Sequence, residues 1–308
     1  MKQVRIFAGS ASRALAEGIA AAYGKPLGDL TIQRFADTEM GPSFNESVRG
    51  CEVFLIQSTP PPAENLMELM LMVDAAKRAS AHKVNIVMPY MGYARQDRKD
   101  KPRVSIGAKV VANIIQSVGT DRLMTCELHA GQIQGFFDIP VDHLDGATVT
   151  APYIKSLNLD NLIFASPDVG GVVRTRAFAK KFGAEIVVCD KTRLRANEIA
   201  SMQVIGDVAG MNVVLVDDMV DTAGTICKAA DLLMERGALS VRAVITHPLL
   251  SGPAHERIRA SALTELVVTD TIPLKEQNEK IRVISVAHLF AHAIRNVVTH
   301  ESISSLFV

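Results

Sequence analysis

The sequence predicts an α/β fold of two similar domains, each a mainly parallel sheet flanked by helices. Three observations lead there. Short β-branched runs recur along all 308 residues. Most of these runs are continuously apolar rather than alternating, as strands are when both sheet faces are covered. Segments with apolar residues at helical spacing lie between them, and such alternation is the mark of a wound α/β sheet. One sheet of all the strands would be large, so two domains of about 150 residues each are expected.

In chain order, strands are expected at residues 4–8, 53–57, 84–88, 162–165, 186–189, 213–216, 241–246 and 266–269. The helix expected over 105–118 carries Ile106, Val110, Val111, Ile114, Ile115 and Val118 on one face, with Gly119 at its end. A second, over 223–236, has Ile226, Ala230 and Leu233 on one stripe and Gly237 after it. Asp145, Gly146 and Ala147 mark the expected boundary: an N-terminal domain over 1–146, a C-terminal domain over 147–287, and a tail from about 288 to 308 packing back on the first. No low-complexity linker or short-period repeat interrupts the pattern.

Composition excludes several classes. Lys and Arg number 33, as do Asp and Glu, so the chain is neither a basic nucleic-acid coat nor an acidic tail. With no Trp and only four Tyr, it lacks a stacking platform for single strands, and no nucleic-acid partner is expected. No apolar run spans a bilayer, and the stretch from Val4 to Ala8 is too short for a signal-peptide core. Cys51, Cys126, Cys189 and Cys227 are widely spaced, which suits buried reduced thiols in a cytoplasmic protein.

The sharpest chemical signal follows the apolar run 213–216. Asp217 and Asp218 come first, then Asp221, Thr222, Ala223, Gly224 and Thr225 at a helix start. Ligands bind at the carboxyl ends of such strands. The free amides of a helix N-terminus, with Thr hydroxyls, cradle phosphate. Carboxylates would repel phosphate alone, so the pattern suits a sugar phosphate: Asp217 and Asp218 accept from ribose hydroxyls or hold a divalent cation. A helix cap accounts for one acidic residue but not for three.

Other loops stand at strand ends as well. Between Arg95 and Arg103 there are five basic residues within nine positions against two acidic ones, placed to suit a polyphosphate. His129 follows the apolar residues 123–126; in isolation it would be read as structural. Ser166, Pro167, Asp168, Val169, Gly170 and Gly171 form a loop whose glycines let amides approach an oxyanion. Lys191, Thr192, Arg193, Leu194 and Arg195 follow the strand at 186–189. His288 and His292 have helical spacing without the Glu of a zincin and read as helix-face residues.

Together, over essentially the whole chain, these segments resemble the ribose-phosphate pyrophosphokinase family, of the phosphoribosyltransferase-fold superfamily. The run from Gln132 to Val141 is the most specific to it, and 45–50 also matches. The resemblance implies two phosphoribosyltransferase-like domains, the first contacting ATP and the second binding ribose 5-phosphate. It also implies transfer of the diphosphoryl group of ATP to the 1-hydroxyl of ribose 5-phosphate, giving 5-phosphoribosyl 1-diphosphate and AMP. Carried onto this sequence, Phe35, Asp37, Glu39, Arg95, Gln96, Asp97 and His129 bind ATP. Asp217, Asp218, Asp221, Thr222, Ala223, Gly224 and Thr225 bind ribose 5-phosphate. Asp168, Gly170 and Gly171 form the diphosphate loop, and His129 and Asp168 hold Mg²⁺. Lys191 and Arg193 are the catalytic cations of a mobile loop that would exclude water when closed.

The family also implies a homohexamer, an active site between domains with part from a neighbouring subunit, and phosphate and ADP as effectors. The effector residues would be Ser47, Arg49, Ser80 and Arg103, with Ser302 and Ser304 from the tail. Glu127 stands where the family has Asp, Asp37 where Asn is common, and Val169 where a small Ala is usual; none of these removes a charged catalytic group. Two alternatives remain. A phosphoribosyltransferase would share the acidic loop but has no use for the His129 segment or the basic loop. An inactive regulatory subunit of the same family would have lost catalytic residues that are intact here.

Overall fold

The computed structural model describes residues 3–195 and 198–304, with the side chains of 191–201 outside that description. Its strands are β1 (Val4–Ala8), β2 (Leu30–Arg34), β3 (Met40–Phe44), β4 (Glu52–Ile56), β5 (Lys83–Met88), β6 (Arg122–Cys126), β7 (Val141–Leu144), β8 (Leu162–Ser166), β9 (Ile186–Arg195), β10 (Glu198–Ile205), β11 (Asn212–Val220), β12 (Ser240–Pro248), β13 (Glu265–Thr269) and β14 (Ile281–Ile284). The helices are α1 (Arg13–Tyr23), α2 (Glu64–Arg78), α3 (Gly107–Ser117), α4 (Ala147–Ser156), α5 (Val172–Lys180), α6 (Gly224–Glu235), α7 (Ala254–Ala260) and α8 (Ala287–Thr299). Two compact units result. Unit 1 comprises Met1–Asp145, Thr271–Pro273 and Ser285–Val308; unit 2 comprises Gly146–Asp270 and Leu274–Ile284.

Unit 1 is built on a five-stranded sheet ordered β1-β4-β5-β6-β7, parallel throughout. Phe7, Leu55, Ile86 and Leu123 pack with Leu69, Met72 and Val73 of α2 and Val111 and Ile115 of α3. The apolar face expected on α3 is narrower than its spacing suggested. Ala108, Val111, Ala112 and Ile115 are buried, whereas Val110 and Ile114 are 51% and 39% exposed on its flank. Small alanines rather than the large aliphatics let this helix approach the sheet. Helix α8 packs on α1, where the Arg295 guanidinium lies 5.6 Å from the Tyr23 ring centroid and reaches the carbonyls of Ala22 and Tyr23. A separate antiparallel ribbon, β2-β3, stands off the main sheet.

Unit 2 holds a seven-stranded sheet ordered β10-β9-β8-β11-β12-β13-β14. All its pairings are parallel except the β9-β10 hairpin. Strand β11 explains its own continuous apolar run. Val213 and Leu215 pack with Ile226 and Leu233 of α6 on one face, and Val214 and Val216 pack with Ile154 of α4 and Phe178 of α5 on the other. Both faces are dry, so every residue is apolar. The strand also runs past its expected end at Val216. It stays paired to β12 through Asp217↔Ile245, Met219↔His247 and Val220↔Pro248, so both carboxylates sit on the strand rather than in the loop. Among the described residues, no helix is long and apolar enough to cross a membrane. The four cysteines are buried, and burial pushes the Cys189 thiol up to about 12.

Candidate functional site

In unit 2 the carboxyl ends of β8 and β11 converge. The Asp217 side chain is 25% exposed and that of Asp218 only 3%. Arg174 of α5 bridges them, its Nη1 lying 3.3 Å from Asp217 Oδ1 and 3.2 Å from Asp218 Oδ1. Asp217 Oδ1 also accepts from the Asp218 amide at 2.9 Å. Burial, and then the neighbouring Asp218 carboxylate, push the Asp217 carboxyl well above its ordinary value; Arg174 opposes this and Asp168 adds to it. Asp218 is the drier of the two by surface, so the raised proton affinity belongs to the pair. One guanidinium does not fully offset the negative charge gathered there.

Asp168 comes from the β8 loop. Its Oδ1 accepts from the Gly171 amide at 3.0 Å, capping the short 3₁₀ turn that leads into α5, and Ser166 Oγ donates to its carbonyl at 2.6 Å. A Cβ on Gly171 would stand 2.8 Å from Ser166 Oγ, so a larger residue here would push that hydroxyl aside. Asp168, Gly170, Gly171, Asp217 and Asp218 are thus brought together within this unit.

The phosphate-cradle residues follow directly. Ala223 takes a left-handed φ of 58° and turns the chain into α6, whose N-terminus carries no side-chain cap. Its first amides are therefore available to an anion. The loop is held from behind: the Ser251 amide donates to Asp221 O at 2.9 Å, and Arg257 Nη1 of α7 donates to Thr222 O at 2.9 Å. A Cβ on Gly224 would lie 3.3 Å from that guanidinium. Arg174 and Arg257 went unnoticed in the sequence, because each is one helical Arg among many and only the fold aims it at this loop.

In unit 1 the carboxyl ends of β5 and β6 bring two further segments together. Asp97 Oδ2 accepts from Gln132 Nε2 at 2.9 Å, tying the basic loop to the His129 segment. Gln96 is fixed under α3: its carbonyl accepts the Ala108 amide at 3.1 Å, and its Oε1 accepts from Ser105 Oγ at 3.3 Å. Arg95 is exposed and His129 half-buried. Phe35, Asp37 and Glu39 occupy the tip of the β2-β3 ribbon, where the Glu39 amide donates to Asp37 Oδ1 at 3.1 Å and the Phe35 ring is 49% exposed.

Ser47 and Arg49 lie near Ser80, whose carbonyl accepts the Gly50 amide at 2.9 Å. Ser302 is tied to α8 through its carbonyl and Asn296 Nδ2 at 2.9 Å, and its Oγ accepts the Ser304 amide at 3.1 Å. The backbone of Lys191 and Arg193 lies in β9, but their side chains, which carry the expected catalytic role, fall outside the described residues.

Among the described residues, no three His, Cys, Asp or Glu side chains form a closed metal cage. The donor set is instead a few carboxylate oxygens gathered at the ends of β8 and β11. This fits Mg²⁺, which is held by one or two carboxylates with water and substrate phosphate completing the shell.

Known proteins are similar to this chain over its whole length. The N-terminal domain of ribose phosphate pyrophosphokinase matches residues 4–119, and the phosphoribosyl synthetase-associated domain matches residues 184–308. A ribose-phosphate pyrophosphokinase of Porphyromonas gingivalis is 56% identical over 303 residues, covering 98% of this chain and 97% of the relative. One of Campylobacter jejuni is 54% identical over 309 residues, covering 100% of each. The crystal structure of phosphoribosylpyrophosphate synthetase from Mycobacterium smegmatis has a TM-score of 0.92 and 39% identity, covering 97% of this chain and 100% of that one. With identity above half across its full length to curated members, the chain belongs to the ribose-phosphate pyrophosphokinase family.

Proposed function

We propose that the protein is a ribose-phosphate diphosphokinase, transferring the diphosphoryl group of ATP to the 1-hydroxyl of ribose 5-phosphate with release of AMP. The full-length identity to curated ribose-phosphate pyrophosphokinases carries this reading. The geometry of unit 2 supports the choice of acceptor. A largely buried carboxylate pair accepts hydrogen bonds from ribose hydroxyls, and an uncapped helix N-terminus, with Thr222 and Thr225, takes the 5-phosphate.

In the proposed division of labour, residues 1–146 with the tail from about 288 contact ATP, and residues 147–287 bind ribose 5-phosphate. Phe35, Asp37 and Glu39 hold the base, and Arg95, Gln96 and Asp97 the nucleotide's phosphate side. The anomeric oxygen attacks the β-phosphorus and AMP leaves. Such transfers are catalysed by alignment and by meeting developing charge, the work assigned to Lys191 and Arg193. His129 and Asp168 would hold Mg²⁺, which when bound would neutralise phosphate charge. A cytoplasmic homohexamer responding to phosphate and ADP through Ser47, Arg49, Ser80 and Arg103 completes the proposal.

The test is AMP release from ATP with and without ribose 5-phosphate, at varied Mg²⁺ and phosphate. Sugar-dependent AMP is expected. Its absence refutes the reading, and consumption of 5-phosphoribosyl 1-diphosphate with a nucleobase would favour a phosphoribosyltransferase instead.

A further inference from the structure

The segment after β6 is held in an unusual way. Glu127 has a φ of +44°, a left-handed conformation that a non-glycine residue adopts only when its surroundings impose it. Strand β7 imposes it here. The Glu127 amide donates to Leu144 O at 2.9 Å, an ordinary backbone contact that any residue at 144 would supply. The next amide, that of Leu128, donates instead to a side chain: His143 Nε2, at 2.8 Å. Nε2 is therefore the bare nitrogen and the ring proton of the neutral imidazole sits on Nδ1. Beside Nδ1 the Gln134 side-chain nitrogen lies 3.3 Å away; itself a donor, it packs against the ring without accepting from it, and it donates to Gly131 O at 3.0 Å, closing the short helix that follows His129. One half-buried imidazole thus touches both the entry to the His129 turn and the helix that ends it.

We infer that His143 is a positioning residue: it acts through the Leu128 amide to fix the strained 127–131 turn and so aim His129 and Glu127. The inference rests on the role proposed for His129. Without an acceptor at the Nε2 position, the Leu128 amide loses its partner and the left-handed Glu127 loses half of what imposes it. Catalytic geometry tolerates little looseness of this kind.

The experiment compares His143→Gln, whose amide oxygen reaches the Nε2 position, with His143→Met, which fills the space without an acceptor. Both are assayed for AMP release and for amide hydrogen exchange of the 127–131 segment, with His129→Ala in parallel. Expected for His143→Met are faster exchange in that segment and a kcat lower on the order of 10- to 100-fold, with the KM for ribose 5-phosphate unchanged. His143→Gln should restore both exchange and kcat. If His143→Met lowers the melting temperature, His143→Asn, whose oxygen stops short of that position, supplies the same contrast. The inference is overturned if the acceptor-free variant keeps wild-type exchange and kcat, or if Gln does no better than Met at an unchanged melting temperature. Wild-type turnover in His129→Ala would refute the role of His129 itself and with it the catalytic half of the inference; the exchange data then decide the structural half alone.

Discussion

Arg174→Met tests the electrostatics of the acidic strand end. The substitution keeps most of the side-chain stem and removes the charge that bridges Asp217 and Asp218. Removing one partner of a fully buried ion pair costs about 3–5 kcal/mol. Asp218 is almost dry but Asp217 is a quarter exposed, so water screens part of the loss and about 2–3 kcal/mol is expected in mild alkali.

The pH dependence has a definite sign. Asp217 is held above its ordinary 3.8 by burial and by Asp218, so near that range the folded protein binds more protons than the unfolded chain. Its contribution is complete below the ordinary value and is lost as pH rises through the folded one. Arg174 opposes that rise; without it the folded value moves higher, and the loss of stability extends further upward in pH. Urea unfolding followed by circular dichroism, at fixed protein concentration and at about pH 5.5 and about pH 8.5, measures the difference. The deficit should be larger at the higher pH than at the lower one. An equal deficit at both, within about 0.5 kcal/mol, or a larger one in acid, would refute the reasoning.

Other outcomes follow from the same geometry. Arg257→Met frees the Thr222 carbonyl and should raise the KM for ribose 5-phosphate about 3- to 10-fold, the weight of one charge-assisted bond at an exposed site, with kcat near normal in initial-rate assays. Gly92→Ala puts a Cβ 2.2 Å from the Thr59 carbonyl oxygen, a backbone atom that cannot step aside, and should cost about 2–3 kcal/mol in equilibrium unfolding. Lys191→Ala should lower turnover by about 10³ or more while circular dichroism and melting temperature stay unchanged; near-normal turnover would remove Lys191 from the chemistry.

The central strands were legible in the sequence because helices cover both of their faces, leaving no reason for polar residues along the run. The same logic failed for β2 and β3. That ribbon stands outside the sheets, and its residues are mostly half-buried or exposed. The end of β11 was misplaced because two carboxylates look like a loop, whereas β12 continues beside them and supplies ladder partners. On α3, spacing alone cannot tell a buried alanine face from an exposed aliphatic flank. At the candidate site the acidic and glycine-rich stretches were readable as local chemistry. Arg174, Arg257 and His143 were not, since each gains its meaning from a contact dozens of positions, or a full strand, away.

The composition of unit 1 has a consequence for the order in which the chain matures. Its first helix, α1, rests on α8, yet everything belonging to unit 2 is synthesised between the two. A ribosome delivers the first unit's last piece only after the second unit is complete. While unit 2 emerges, α1 is without Ala287 and Arg295 of α8, which lie against Gly18 and Tyr23 in the finished protein. Limited proteolysis of chains ending at Ile284 should therefore find α1 cleavable and unit 2 protected, and a protected α1 would show that the first unit closes without its final helix.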